Sequence, residues 1–389
     1  MTTTKLDAVS VAQALVRCES VTPAEGGALT FLEQVLDANG FACHRMTFTE
    51  DGTPDVENLY ARIGKAAPNL CFAGHTDVVP PGDLAAWTMR PFAAEIRDGK
   101  LYGRGTVDMK GGIACFLAAT LAHLAANGGR PARGSISFLI TGDEEGPSIN
   151  GTMKVLDWLR AQGEKLDACV VGEPSNPEVL GDAIKIGRRG SLTCEVVVHG
   201  RQGHAAYPHM ADNPVPKLAR IIDRLSSIEI DRGSAHFEPS NLQVTVISVP
   251  NRAANVIPAE ARATFNVRYN DHWRRPTIEA WVRTQCEAAA ASIDARCDLS
   301  FAATGDVFLT EAGPLVETMR EAVEAITGRK PALTTGGGTS DARFIKDACP
   351  VIEFGLVNKT IHAVDEHVPL RDLEQLTAIY TRFLERYFS

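Results

Sequence analysis

The chain has 389 residues, a formal net charge of -9 and 44% hydrophobic residues. That length exceeds the roughly 250–300 residues at which single cores stop growing, so two domains are expected. The acidic balance excludes nucleic acid as the main partner, because phosphate binding needs a concentrated basic face. No run approaches the roughly 18 apolar residues of a membrane span, so no membrane partner is expected. Nine cysteines are scattered without a C-x-x-C pair, which argues against a disulfide framework or a thiolate metal site. Residues 1–21 lack a basic segment followed by an apolar run; no signal peptide is expected, and the cytoplasm follows as the compartment.

In chain order, apolar residues at helical spacing predict helices over 10–17 and 29–38. A short apolar run at 69–73 reads as a strand ending at Gly74-His75-Thr76-Asp77. The small, apolar, proline-free stretch 111–126 reads as a buried helix. Strands at 135–140 and 168–171 run into Thr141-Gly-Asp-Glu-Glu-Gly146 and Gly172-Glu173-Pro174. Helices alternating with short buried strands predict an α/β domain, and open α/β sheets form their binding crevice at the strand ends. After about residue 189 the pattern changes to strand (192–198), helix (214–228), strands (242–249, 261–269), helix (277–293) and strand (295–301). That β-α-β-β-α-β order is the ferredoxin-like one. Helix 313–326, strand 351–355 and helix 370–387 then resume the first style. The expected architecture is a catalytic domain (1–188 and 303–389) with a mixed, mostly parallel sheet flanked by helices. A ferredoxin-like α+β domain (189–302) is inserted into it.

His75, Asp77, Asp108, Glu144, Glu145, Glu173 and His362 lie at or near expected strand ends. Histidine and carboxylate donors without cysteine suit a divalent ion such as zinc at a catalytic site. A pair of ions needs a bridging carboxylate, and Asp108 stands among glycines that let backbone approach closely. In His75-Thr76-Asp77 the first and third residues face the same side of an extended segment. Asp77 is therefore expected to accept the other ring N–H of His75 and fix its tautomer. Adjacent Glu144 and Glu145 would repel unless one binds metal and the other is free to move a proton. Singly, each of these features is commonplace: a His-x-Asp is most often a turn, and an Asp-Glu-Glu triplet a solvated helix start.

Together the blocks Gly74-His-Thr-Asp-Val-Val-Pro-Pro-Gly82, Gly103-Arg-Gly-Thr-Val-Asp-Met-Lys-Gly111, Asp143-Glu-Glu-Gly146 and Gly172-Glu-Pro-Ser175 resemble the zinc aminoacylase/carboxypeptidase (M20) family. The resemblance extends over nearly the whole chain, in order. It implies two Zn2+ per subunit, with Co2+ able to substitute: His75 and Glu173 on one, Glu145 and His362 on the other, and Asp108 bridging. It implies Glu144 as general acid/base, Asp77 as a supporting catalytic aspartate, and a cis peptide after Asp108. It also implies that a water attacks the amide of an acyl-amino acid. His204 then donates to the oxyanion from the partner subunit of a homodimer, so that the inserted domain is both lid and dimer interface.

Further blocks around Arg188, His204, Asn255, Thr339 and Asn358 resemble the branch of the family that removes a short acyl group from an amino-acid derivative. Arg188, Arg268 and Arg343 are the expected carboxylate clamps, since guanidinium binds carboxylate bidentately. Tyr207, Asn255, Thr339 and Asn358 match polar positions of the substrate pocket. Acetyl-amino-acid hydrolases and carboxypeptidases of the same family stay open, because metal ligands do not separate them. The triple-glycine run Gly336–Gly338 lacks the following Lys-Ser/Thr of a phosphate loop.

Overall fold

The computed structural model describes residues 6–389, apart from the side chains of residues 303 and 304. Residues 1–5 of the expected catalytic domain lie outside the described residues. The chain divides into two units. One comprises the described residues through Ile186 with Thr310–Thr334 and Ser340–Ser389; the other comprises Gly187–Leu309 with Thr335–Thr339.

The first unit is built on an eight-stranded sheet. Its spatial order is Ala42–Phe48, Val56–Ile63, Ser135–Thr141, Asn69–His75, Ala168–Val171, Val351–Glu353, Ala183–Lys185 and Ala332–Thr334. Strand Asn69–His75 runs parallel to both its neighbours, so three strands end on the same edge. Val351–Glu353 pairs parallel with Ala168–Val171, and Ala332–Thr334 with Ala183–Lys185. The pairings of Ala42–Phe48, Val56–Ile63 and Ser135–Thr141, and that of Val351–Glu353 with Ala183–Lys185, are antiparallel. The fold is thus α/β with a mixed, mostly parallel sheet.

Helix Lys110–Ala126 packs between helices Ala8–Arg17 and Leu370–Tyr387 and is buried almost all round, as its small apolar composition requires. Phe72 of the sheet stacks on Phe116 of that helix at 4.3 Å between ring centroids. Tyr380 packs edge-on to Phe116 and donates its hydroxyl to the Phe354 carbonyl at 2.5 Å. Leu370–Tyr387 earns its place through one apolar face, Leu373, Leu376, Ile379, Tyr380, Phe383 and Leu384, at helical spacing. Asp7 caps the first helix by accepting from the Ser10 amide at 2.7 Å. No helix among the described residues is long and apolar enough to cross a membrane.

The second unit has a four-stranded antiparallel sheet in the order Asn241–Ser248, Glu260–Tyr269, Gly190–His199 and Arg296–Gly305. With helices Pro214–Ser226 and Arg275–Ala291 this is the ferredoxin-like arrangement. Burial alternates strictly along Glu260–Tyr269. Its inward residues Ala261, Ala263, Phe265 and Val267 meet Leu218, Ile221, Ile278 and Val282 of the helices. The unit differs from the expected 189–302. Gly187–Arg188 pairs antiparallel with Phe308–Leu309, and this backbone ladder carries both crossing points outward. Thr335–Thr339 also joins it: Thr335 Oγ1 donates to the His236 carbonyl at 2.5 Å, and Arg188 Nη1 to the Gly338 carbonyl at 2.7 Å.

Asp231 ties the loops of this unit together. Its Oδ1 accepts from the amides of Gly233 (2.9 Å) and Ser240 (3.0 Å) and from Asn270 Nδ2 (2.6 Å), and its Oδ2 from Trp273 Nε1 (2.8 Å). Burial works against its charge, but these donors outweigh it and hold the carboxyl at about 2. Asp231→Ala is expected to destabilise the unit by about 2–4 kcal/mol, since hydrogen bonds to charged groups contribute roughly 1.5–3 kcal/mol. The folded value lies below the unfolded one of about 3.9. The stability difference between parent and variant is therefore constant at higher pH and shrinks as pH falls from about 4 towards about 2. Urea titrations followed by tryptophan fluorescence measure it; a difference that persists unchanged on acidification refutes the charge argument.

Candidate metal centre

Three parallel strands deliver their following residues to one edge of the sheet. His75 closes strand Asn69–His75, Glu144 and Glu145 follow Ser135–Thr141, and Glu173 follows Ala168–Val171. Asp108 arrives from the loop before helix Lys110–Ala126, and His362 from the loop before strand His367–Pro369. The loop to Asp108 depends on Gly105, whose φ of +83° is left-handed. A Cβ there would also lie 2.7 Å from Val78 Cγ1. The Asp108–Met109 peptide is cis.

The side chains converge. His75 Nε2 lies 3.3 Å from Asp108 Oδ1 and 3.6 Å from Glu173 Oε1. His362 Nε2 lies 2.7 Å from Glu145 Oε1 and 3.2 Å from Asp108 Oδ2. Donor atoms of His75, Asp108 and Glu145, and again of His75, Glu144 and Glu173, fall within 4.8 Å of one another. Asp108 Oδ1 is buried without a hydrogen bond of good geometry among the described residues. An imidazole-carboxylate donor set around such an oxygen fits a pair of divalent ions, with Asp108 between the two histidines.

The expected role of Asp77 is corrected in one respect. His75 Nδ1 hydrogen-bonds the main-chain carbonyl of Asp77 at 2.9 Å, while its carboxylate stands 3.6 Å away. A carbonyl only accepts, so Nδ1 carries the proton and Nε2 is left for the centre. The Asp77 carboxylate instead accepts from the amides of Glu144 (3.3 Å) and Glu145 (3.0 Å). It fixes the turn that carries both glutamates. Thus the tautomer is set by backbone, and the carboxylate is spent on the neighbouring loop.

Arg343 and Asn358 lie in the same unit as this cluster; His204, Tyr207, Asn255, Arg188, Arg268 and Thr339 belong to the second unit. Within that unit, His204 pairs with Val256, and the Ala205 amide donates to the Asn255 carbonyl at 2.9 Å. The Tyr207 and His204 rings are 5.6 Å apart. The Ala206 amide donates to His204 Nδ1 at 3.1 Å. A neutral His204 therefore carries its proton on Nε2, as an exposed donor. Arg188 and Arg343 are both buried, and Arg343 Nε has no hydrogen-bond partner among the described residues.

Sequence reasoning missed Glu366 and gave Arg104 no role, although Arg104 stands inside a quoted motif. Both are buried and form an ion pair at 2.8 Å. The available signal was Gly103-Arg-Gly105: an arginine between two glycines beside a ligand segment, which when buried requires a carboxylate.

Electrostatics shows what the cluster lacks. Burial opposes charge on Asp108, yet the imidazoles of His362 and His75 hold its carboxyl well below the usual carboxylate range. Hydrogen bonds to Asp108 and then Glu145 push His362 up to about 10. Glu144 is pushed up to about 8 by burial first, then by the charges of Asp341, Glu145 and Asp108, against the pull of His75. Glu173 is driven well above its ordinary value by burial, Asp108 and Glu144. Burial likewise lifts Asp77 to about 6.

The model of "Peptidase family M20/M25/M40" matches residues 71–386. The chain belongs to that family. It is one of metal-dependent hydrolases, and this chain is an enzyme acting on a small molecule. A protein of Methylorubrum populi named succinyl-diaminopimelate desuccinylase is 59% identical over 382 residues, 98% of each chain. A metallo-carboxypeptidase of the M20 family from Sulfolobus solfataricus superposes with a TM-score of 0.80 at 18% identity, covering 98% of this chain and 99% of that one. A dinuclear metal binding peptidase of Bacillus subtilis superposes at 0.72 and 16% identity, covering 98% and 96%.

Without a cation, protons neutralise the cluster: Glu144, at about 8, and His362, at about 10, both hold one at neutral pH. Metal ligands must be deprotonated, so binding releases protons. The apparent metal affinity of the stripped protein is therefore expected to rise with pH, from about 6 to about 9. Calorimetry in buffers of different ionisation enthalpy counts the protons; a flat affinity with no release contradicts the geometry.

Proposed function

We propose that the chain hydrolyses N-succinyl-LL-2,6-diaminopimelate to succinate and LL-2,6-diaminopimelate, a step of bacterial lysine and diaminopimelate synthesis in the cytoplasm. The observation that carries this reading is the 59% identity to a named succinyl-diaminopimelate desuccinylase over 98% of both chains, with His75, Asp108, Glu144, Glu145 and Glu173 gathered and His362 against Glu145 and Asp108. The proposed cofactors are two Zn2+, with Co2+ able to take their place. When bound, such a pair supplies Lewis acidity toward the amide carbonyl and lowers the pKa of water.

On this reading His75, Asp108 and Glu173 would hold one ion, and Glu145, His362 and Asp108 the other. Glu144 takes the proton of the attacking water and passes it to the departing amine nitrogen. As a half-buried carboxylate beside the ligands it is placed for both halves of that task, since general acid-base catalysis needs a positioned side chain within reach of the proton. Asp77 keeps Glu144 and Glu145 in register by accepting both their amides. Arg343, Arg188 and Arg268 take the substrate's carboxylates, and Tyr207, Asn255, Thr339 and Asn358 its polar groups. The burial of Arg343 in the same unit as the cluster supports this use.

The same reading makes the second unit, near 189–302, a lid and dimerisation domain. His204 of the partner subunit donates from Nε2 to the oxygen that gains charge. Its exposed donor supports that role. An edge strand, Asn241–Ser248, carrying Val246 and Ile247 at 52% and 61% exposure supports a homodimer through this unit, because such edges invite pairing.

Assaying the zinc-loaded protein on succinyl-diaminopimelate and acetylornithine side by side tests the substrate. A preference on the order of 10⁴ for the former is expected, the scale at which buried polar groups reject an analogue lacking their partner. Equal rates, or the reverse preference, defeat the assignment. Glu144→Gln should lower kcat by about 10²–10⁴ while metal stoichiometry stays unchanged.

The dimer is tested by mixing two inactive chains, Glu144→Ala and His204→Ala. Hybrid dimers hold one cluster with intact Glu144 facing an intact His204, so part of the activity should return. Mixtures that stay dead after verified subunit exchange remove the shared site.

A further inference from the structure

We propose that Arg104 and Glu366 are a positioning pair that sets the cation affinity of the His362–Glu145–Asp108 position more than that of the His75–Glu173–Asp108 position. The inference rests on the two-cation reading above and concerns residues to which that reading gives no role.

Glu366 is fully buried and Arg104 is 3% exposed. Glu366 Oε1 accepts from the amides of Val107 (2.9 Å) and Asp108 (3.2 Å). Its Oε2 accepts from the Gly105 amide (3.0 Å) and from Arg104 Nη1 (2.8 Å). Its own carbonyl accepts from the Gly103 amide at 2.9 Å. One residue of the His362 loop thus grips the backbone of the segment that ends in Asp108. Arg104 works in the opposite direction. Its Nη1 donates to the Ala363 carbonyl and its Nη2 to the His362 carbonyl, each at 3.3 Å. The guanidinium also lies 5.3 Å from the Trp87 ring centroid.

These two bonds matter because His362 is left-handed, with φ +57°. For a residue with a Cβ that conformation costs roughly 1–3 kcal/mol and persists only where surroundings impose it. The pair therefore orients both the Asp108 backbone and the His362 backbone. His75 and Glu173 follow the strands Asn69–His75 and Ala168–Val171, and the sheet places them without the pair. Asp108 serves both positions and His362 only one, so loosening the pair should weaken both, and the His362 position by much more. A buried ion pair with only a structural role would lower stability and weaken both equally.

The test uses the full chain stripped of metal and titrated with Zn2+ by calorimetry, with thermal melts to establish folding. Glu366→Gln keeps the shape but removes the charge facing Arg104. It is expected to weaken one binding event by about 10–100-fold, the usual scale for outer partners of ligands, and the other, which shares only Asp108 with it, by about tenfold less. Asp365→Ala is the second variant. Asp365 accepts from the Thr88 amide (2.8 Å) and Thr88 Oγ1 (2.9 Å) and anchors the same loop from outside. Its loss leaves no unpaired buried charge, so it decides the matter should Glu366→Gln not fold; the same unequal weakening, smaller in size, is expected. Equal weakening of both events, or none in a folded variant, overturns the proposal. Fewer than two events in the unaltered chain overturns the two-cation reading first, and shows it before any substitution is made.

Discussion

Five carboxylates share one partly buried space with two imidazoles, and their mutual repulsion is the constraint to which the rest of the structure answers. Two like charges 4 Å apart repel by about 4 kcal/mol at an effective dielectric of 20, and this cluster contains several such pairs. The directions of the titration shifts state the same fact residue by residue. Asp108, flanked by both imidazoles, stays charged, while Glu144 and Glu173, with less positive charge at hand, move upward. A folded chain tolerates this only if protons or cations fill the gap between the side chains.

The scaffold answers by making the crowding unavoidable. Parallel neighbours of Asn69–His75 force three sets of following residues to the same edge. Asp77 then locks the Glu144-Glu145 turn through two main-chain donors. Backbone conformations that an ordinary residue resists hold the remaining ligands: Gly105 at φ +83° before Asp108, and His362 at φ +57°. The core below is conventional. Phe72, Phe116 and Tyr380 interlock sheet and helices so that the edge cannot spread.

Much of this was legible in the sequence, for reasons of period and punctuation. Helix Leu370–Tyr387 was readable from its apolar spacing, and Ala168–Val171 from a short β-branched run with turn residues after it. Strands Ala42–Phe48 and Val56–Ile63 were not readable. The first buries only Met46 and the second is buried on both faces, so neither shows an apolar-polar alternation in its sequence. The ligand types stood out because His and acidic residues recurred just past strands. The Asp77 contact was misjudged because side-chain spacing cannot tell a carboxylate from the carbonyl of the same residue as acceptor. Glu366 has no local mark of its own: its meaning lies in four donors from a segment some 260 residues earlier, and Arg104 between two glycines signals only that some carboxylate is needed.

The second unit leaves and rejoins the chain through two strands that pair with each other, and the Thr310 amide donates to the Ile186 carbonyl at 2.6 Å just outside them. From the viewpoint of the first unit, everything from Gly187 to Leu309 is a single loop whose ends already touch. Closing a loop of that length in an unfolded chain costs roughly 3 kcal/mol more than closing a four-residue turn. In the folded chain the ferredoxin-like module's own first and last strands offset that cost, because Gly187–Arg188 pairs with Phe308–Leu309. The module is thus a clasp that keeps the two interrupted points of the first unit's chain side by side.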